Sequence, residues 1–281
     1  MDSPADSPTL PDGTRLGRTA LRVADLDAMT EFYRSVVGLA VQEQTPETAT
    51  LGVDGTALLV LERTDATQRD PDAAGLFHNA FRVPSRAALG DAVERIRTRW
   101  QLDGASDHRV SEALYLSDPE DNGVEIYRDL PRDRWPRSAD GTVEMATLPL
   151  DLDSLAAESD GAKSAPPETT LGHVHLEATA IGNVRGFYVD TLGFEVQMDV
   201  GAALFVSAGG YHHHLGINTW NGRSEPASAR GLAWFEVLVP DADALQAIRD
   251  RLGQSGVSVS DWSGGIEFTD PDGITVRVRV E

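Results

Sequence analysis

HRVSEALYLSDPEDNGVEIY, residues 108–127, is the stretch from which the rest of the chain can be read. Asp118-Pro119 and Asn122-Gly123 frame a turn between two short strands, since aspartate and asparagine bond their own backbone and glycine takes positive φ freely. Beyond the turn, alternation sends Val124 and Ile126 to one face and Glu125 and Tyr127 to the other. Either His108, Tyr115 and Glu125 converge on one cavity, or the hairpin is a plain turn with Glu125 facing water. The placement of the other histidines decides between these readings.

The hairpin ends a longer unit that opens with a strand over 77–83 and a helix over 85–100. The same order starts earlier, with an alternating strand at 17–23. Asp25 then suits a helix N-cap, Leu26, Met29, Tyr33 and Val36 or Val37 form an apolar stripe, and Gly38 stops the helix. Strands follow at 40–44, 49–53 and 56–62, the last two joined by an Asp54-Gly55 hairpin turn. The order recurs from 172–177 with a helix near 181–192, and from 232–239 with a helix near 241–253. Phe32-Tyr33 ahead of Gly38-Leu39 parallels Phe187-Tyr188 ahead of Gly193-Phe194. Four βαβββ units are thus expected, at 16–62, 76–129, 170–220 and 231–281. Residues 1–15 read as a disordered arm. Residues 130–168, rich in proline, read as a linker with a short helix near 152–157 between a first domain (16–129) and a second (169–281).

The composition is that of a globular chain: 281 residues, 41% of them hydrophobic, enough for a packed core. No apolar run approaches the ~18 residues of a membrane span, and the acidic, proline-containing start is unlike a secretory signal, so a cytoplasmic location is expected. Forty-five acidic residues face 24 basic ones, for a net charge of −21, and Lys163 is the one lysine. Such a charge repels nucleic acid and anionic membrane. It also suits a halophilic protein, whose self-repulsion high salt would screen. With no cysteine, any metal must be held by nitrogen and oxygen ligands.

All seven histidines (His78, His108, His173, His175, His212, His213 and His214) fall in the second and third units. Surface filler would be scattered, so this distribution points to one site shared by those two units.

Taken together, the strand-helix-three-strand unit, Phe-Tyr ahead of Gly-Leu and Asp-Pro ahead of the final strand resemble the vicinal oxygen chelate superfamily, which includes glyoxalase I and extradiol dioxygenases. GYHHHLGINTWNG (210–222), SEALYLSDP (111–119) and GHVH (172–175) look more closely like the bacterial catechol-2,3-dioxygenases built of four such units. The resemblance covers nearly everything except the arm and linker. It implies an α+β fold of four βαβββ units in two paired half-barrel sheets. It also implies metal ligands at His78, Glu125 and His173, a two-histidine, one-carboxylate set that leaves positions open on Fe(II) or Mn(II) for a small aromatic diol and dioxygen. By the same match His108 and Tyr115 are hydrogen-bond donors to the substrate oxygens. Ser106 and Asp121 depart from the family signature, which has Gly or Asn and Gly or Pro at those places. For the acid-base histidine, alternation sends His212 and His214 into the cavity, whereas the family match picks His213. His213 and His214 both remain candidates, a bulge at Gly209-Gly210 being able to reconcile the two arguments.

The implied activity is metal-dependent extradiol ring cleavage of a catechol-like diol. Two alternatives share the scaffold. One is a glyoxalase-like isomerase or lyase, with His214 as fourth ligand around Ni(II) or Zn(II). The other is a non-catalytic small-molecule-binding protein. Counting ligands sets the pairing of units: joining one to two and three to four would split His78 and Glu125 from His173. Joining two to three and one to four gathers every histidine with Glu125 and leaves Arg18 and Arg277 in a metal-free pseudo-site. The second arrangement is expected, within one chain or across a homodimer.

Overall fold

The computed structural model describes residues 9–139, 141–227 and 230–281. Unit one comprises β1 (Arg15–Val23), α1 (Leu26–Phe32), β2 (Ala40–Gln44), β3 (Thr48–Val53) and β4 (Thr56–Arg63). Unit two comprises β5 (Gly75–Arg82), α2 (Arg86–Arg99), β6 (Gly104–Asp107), β7 (Ser111–Ser117) and β8 (Gly123–Asp129). The connection that follows contributes β9 (Leu148–Pro149) and α3 (Leu152–Ala156). Unit three holds β10 (Thr170–Glu177), α4 (Ile181–Arg185), β11 (Glu195–Asp199), β12 (Ala203–Ser207) and β13 (Leu215–Asn218). Unit four holds β14 (Gly231–Val239), α5 (Ala242–Gln254), β15 (Ser260–Trp262), β16 (Gly265–Thr269) and β17 (Thr275–Val280). The fold is α+β, two mixed sheets with few helices.

One sheet runs β15-β16-β17-β14-β1-β4-β3-β2 and the other β11-β12-β13-β10-β5-β8-β7-β6-β9. Units one and four therefore share a sheet, and units two and three share the other, all within one chain. In each unit the first strand pairs parallel with the last, while β1 meets β14 and β5 meets β10 antiparallel. One face of each sheet carries the apolar members of the alternation, such as Phe81, Val124, Ile126, Val174 and Leu176, into a continuous core.

The helices tie the chain along the other direction. Asp25 caps α1 by accepting from the Ala28 amide at 3.0 Å, after which α1 widens into a π turn over Tyr33–Val37. Gly38, at φ 93°, ends that turn, and Gly193, at φ 92°, stands at the corresponding place in unit three, where a side chain would be strained. Arg95 of α2 donates to the carbonyls of Val36 and Val37 at 3.1 and 3.0 Å, capping the helix of unit one. Arg251 of α5 does the same for unit three through Thr191 and Leu192 at 3.1 and 2.8 Å. Buried tyrosines complete the ties: Tyr33 donates to Asp118 Oδ2 at 3.0 Å, and Tyr188 to Asp270 Oδ2 at 2.8 Å.

Two expectations change. The arm is shorter than 1–15 suggested: residues 1–8 lie outside the described residues, but Leu10 is buried and its amide donates to Gly193 O at 2.8 Å. The 130–168 connection is also built into the molecule. Trp135 and Val143 pack with Val110 and Tyr211, β9 extends the edge of the sheet beside β6, and α3 packs on α2. Proline content marked irregular backbone there, not absence of packing.

The two Tyr-Asp ties carry a pH dependence. Burial raises the Asp118 and Asp270 carboxyls from 3.8 to about 6, against the pull of the donors around them. A carboxyl raised in the folded state stabilises it fully below the unfolded value, and that contribution is lost as pH rises through about 6, by on the order of 3 kcal/mol per group. Urea unfolding at constant salt should therefore show the deficit of Asp118→Asn relative to the parent chain shrinking between about pH 5 and pH 7.5. A deficit that is constant or grows would refute the shift.

Candidate metal centre

The register of three adjacent strands assembles the site. On β5, His78 and Ala80 share a face; Glu125 of β8 lies opposite Ala80 on one side, and His173 of β10 lies opposite Ala80 on the other. Three polar side chains thus surround one methyl group, and only a residue as small as Ala80 leaves them room to approach. His78 Nε2 lies 3.3 Å from His173 Nε2, and each lies 3.0 Å from Glu125 Oε2. All three are buried, at 6%, 2% and 3% exposure. Adjacent ligands on an octahedral ion with bonds of about 2.1 Å are about 3 Å apart, so the triangle fits one face of such an ion. Burial alone would raise the Glu125 carboxyl, but His173 and His78 hold it well below the usual range. Burial lowers His173 to about 4, only partly offset by Glu125, so both partners are in the states a metal requires.

The triangle opens into a cavity of about 440 Å³. His108, Tyr115, His175 and His213 line it beside the ligands, and Val110, Met145, Met198, Val200, Phe205 and Trp220 form its apolar wall. No arginine or lysine is among the lining residues. His108 Nδ1 lies 2.6 Å from Ala146 O, which can only accept, so His108 donates there and its Nε2 accepts from the Tyr115 hydroxyl at 2.6 Å. The two residues read as donors to substrate are therefore bonded to each other, and the connection after unit two supplies the carbonyl that orients them. Burial, then Glu125, raises Tyr115 far above an ordinary phenol, so it is a neutral hydroxyl.

The three successive histidines point in different directions. His213 lines the cavity, its ring 4.2 Å from that of His173. His212 is fully buried against Asp129, and His214 turns to a separate cavity beside Arg82 and Arg132, its Nδ1 accepting from the Ala208 amide at 3.2 Å. The alternation argument for His212 and His214 fails because residues 212–214 are not in a strand. Gly209 and Gly210, at φ 60° and 61°, turn the chain, and β13 begins only at Leu215. His214 is accordingly not a fourth ligand: among the described residues the metal-competent group is His78, Glu125 and His173. Burial lowers His213 well below 6.5 and His214 to about 3, so both are neutral.

Sequence reasoning misses His175 and Asp129, although alternation carries the signal for both. His175 follows His173 by two and Asp129 follows Glu125 by four, which places them on the cavity face. His175 Nε2 lies 3.2 Å from Asn218 Nδ2, and its ring stands 5.0 Å from Phe77 and 5.4 Å from Trp220. Asp121, where the family prefers glycine or proline, sits at φ 65°, the strained conformation that glycine would relieve.

The sheet of units one and four has the same plan with opposite chemistry. Glu236, fully buried, takes the place of Ala80, opposite Arg277 in register. Arg18 and Arg279 approach it at 3.5 and 3.0 Å. The Arg277 guanidinium lies 4.1 Å from the Trp234 ring and 4.3 Å from Trp262, and pairs with Glu267 at 2.7 Å. Arg18 also lies over Trp234, at 5.5 Å, so it and Arg277 come together as expected. Here the protein supplies its own cations.

Comparison with known proteins agrees with this plan. The family model of the Glyoxalase/Bleomycin resistance protein/Dioxygenase superfamily matches residues 15–126 and 155–278. The chain is 37% identical over 270 residues to a catechol-2,3-dioxygenase of Bacillus subtilis, covering 92% of this chain and 95% of that protein. A biphenyl-2,3-diol 1,2-dioxygenase of Rhodococcus globerulus is 31% identical over 120 residues, 41% of this chain and 63% of that one. Among solved structures, glyoxalase I from Zea mays superposes with a TM-score of 0.58 at 16% identity, covering 95% of this chain and 92% of that one, which speaks to fold alone. The repeated βαβββ units, their pairing into two sheets and the matched residues make this chain a member of the glyoxalase/bleomycin resistance/dioxygenase superfamily.

Proposed function

We propose that the chain is an extradiol ring-cleaving dioxygenase that binds Fe(II), with Mn(II) as the other suitable ion, and acts on a catechol-like diol with dioxygen. The observation that carries this reading is the triangle of His78, Glu125 and His173, three ligands with no fourth among the described residues, at the floor of an apolar cavity. Three protein ligands leave open positions for a chelating diol and for dioxygen, whereas the isomerase alternative with Ni(II) or Zn(II) was built on a fourth ligand that His214 does not supply. A non-catalytic binder would have no use for three buried ligand atoms held 3.0 to 3.3 Å apart. The 37% identical relative from Bacillus subtilis, a catechol-2,3-dioxygenase by name, supports the same reading.

When bound, the ion supplies Lewis-acid and one-electron chemistry toward the diol and dioxygen. The remaining work falls to the chain. His213, neutral and beside His173, is placed to take the proton that a bound diol gives up. The His108–Tyr115 pair, with Tyr115 opposite Glu125 in the strand register, presents the tyrosine oxygen beside the centre. Phe77, Phe205 and Trp220 exclude water and offer ring faces to an aromatic substrate. Since no arginine or lysine is among the described residues that line the cavity, an uncharged diol with an apolar substituent fits it, and a carboxylated one would leave its charge unpaired there.

Untagged protein should retain iron or manganese when its metal content is measured. His78→Ala and His173→Ala should each abolish retention, while Arg277→Ala should leave it intact. Nickel or zinc in the purified protein, with no iron or manganese, would favour the isomerase. After anaerobic loading with Fe(II), catechol and oxygen should give the yellow ring-cleavage product, and 3- and 4-alkylcatechols should be cleaved with kcat/KM at least tenfold above 3,4-dihydroxybenzoate, the ratio expected for about 1.4 kcal/mol of lost charge compensation. Colourless mixtures across that panel would count against the proposed reaction. The lysine-poor surface with its net charge of −21 supports a halophilic reading: thermal unfolding should shift upward from low salt to molar KCl, and a flat response would refute it.

A further inference from the structure

His213 stands at the end of a hydrogen-bonded chain whose other members have no part in the reaction as described so far. Its Nδ1 lies 2.8 Å from Nδ1 of His212, and Nε2 of His212 lies 3.0 Å from Oδ1 of Asp129. Asp129 is itself held from two further sides. The Tyr211 hydroxyl donates to its Oδ1 and Oδ2 at 3.2 and 3.0 Å, and Arg82 Nη1 lies 3.4 Å from Oδ2. Burial would raise this carboxyl, but His212, Arg82 and Tyr211 outweigh it and hold Asp129 below its ordinary value.

The proton positions follow by elimination. A carboxylate only accepts, so His212 donates from Nε2. With His212 as the uncharged ring, its one N–H is spent on Asp129, and Nδ1 of His212 has only a lone pair to offer across the 2.8 Å contact. The donor there must be Nδ1–H of His213, and Nε2 of His213 is then bare. Free imidazole side chains favour the opposite tautomer, with the proton on Nε2, so the arrangement must be imposed by the chain. His212 is well placed to impose it: fully buried, it has the Tyr211 ring 4.1 Å away and the Trp135 ring 5.3 Å away, and it cannot turn without breaking both of its bonds.

We infer that Asp129 and His212 are positioning residues that hold His213 in its Nδ1–H tautomer, so that its Nε2 lone pair is the proton acceptor the cavity offers to a diol. The inference rests on reading His213 as the base in ring cleavage. The logic is that of any carboxylate-oriented histidine, with a second imidazole interposed. A carboxylate fixes one ring, and that ring fixes the next. Asp129, on the last residue of β8, thereby links the strand that carries Glu125 to the loop that carries His213.

The tautomer can be read without turnover. Full-length chain carrying 15N-labelled histidine and loaded with diamagnetic Zn(II) should show, in long-range 1H–15N spectra, the pattern of a protonated Nδ1 and an unprotonated Nε2 for His213. His212→Leu should shift the His213 proton to Nε2, and His212→Gln, whose amide can both donate to Asp129 and accept from His213, should restore the original pattern. In the iron-loaded enzyme, His212→Leu and Asp129→Asn should lower kcat by about 10²- to 10⁴-fold with KM and metal content unchanged, and His212→Gln should recover most of that loss. Nε2–H on His213 in the parent protein, or an unaltered tautomer and kcat in His212→Leu, would overturn the proposal. Should Asp129→Asn not fold, the Leu and Gln variants at 212 carry the test alone. If the parent chain cleaves no diol yet shows the Nδ1–H pattern and its loss in His212→Leu, the ring-cleavage reading fails and the positioning by Asp129 and His212 stands.

Discussion

The antiparallel join of β5 to β10 is the constraint on which the centre depends. Within one unit, the parallel pairing of β5 with β8 brings His78 and Glu125 together, but two ligands make a weak site. The third arrives only because β10 of the next unit meets β5 in the register that sets His173 and Glu125 on either side of Ala80. A slip of one residue would turn His173 to the apolar face and Val174 to the cavity. That register is in turn secured by burial, since Val174, Leu176 and Phe81 occupy the core when it is correct. Hydrophobic alternation and ligand placement are therefore the same fact seen from the two faces of one sheet.

The four units are bound by two sets of contacts that run across each other. Sheets join one to four and two to three; the helix-capping arginines and the buried Tyr-Asp bonds join one to two and three to four. Each unit is thus held to two others by different chemistry, strand ladders in one direction and charged or hydroxyl caps in the other. The connection between units two and three adds a further tie at the site, because the Ala146 carbonyl orients His108 and Met145 and Thr147 line the cavity.

The contrast between the two sheets isolates what makes one of them a candidate metal centre. Both present the same three-strand junction, yet in one the middle position is Ala80 and in the other it is Glu236. A small apolar residue leaves a void that three ligands can face, whereas a buried carboxylate must be neutralised by neighbours, and Arg18 and Arg279 do so. The arginine at 277, where the other sheet has Glu125, completes the inversion of charge. A duplicated scaffold has in one copy the ligands for a cation and in the other cations of its own.

The sequence alone determined the four units, their helix starts at Asp25, Ser85 and Asp241, the alternation that sets Glu125 and Tyr127 on the face opposite Val124 and Ile126, and the clustering of histidines in the second and third units. These are local properties: a capping side chain, a glycine with positive φ, or a period of two along a strand needs no distant partner to be read. The pairing of units could be argued from ligand counting, because only one arrangement completes a site. What the tertiary structure decided lies where local rules compete or run out. It turned His213 rather than His214 toward the cavity, since a turn through two glycines resets the alternation that a strand would have kept. It packed Leu10 and parts of the proline-rich connection, such as Trp135 and Val143, into buried clusters, which composition cannot register because irregular backbone can be as well buried as regular. It also placed Asp129 against His212, two residues 83 positions apart whose contact depends on how β8 and the loop before β13 meet, a relation that no spacing along the chain encodes.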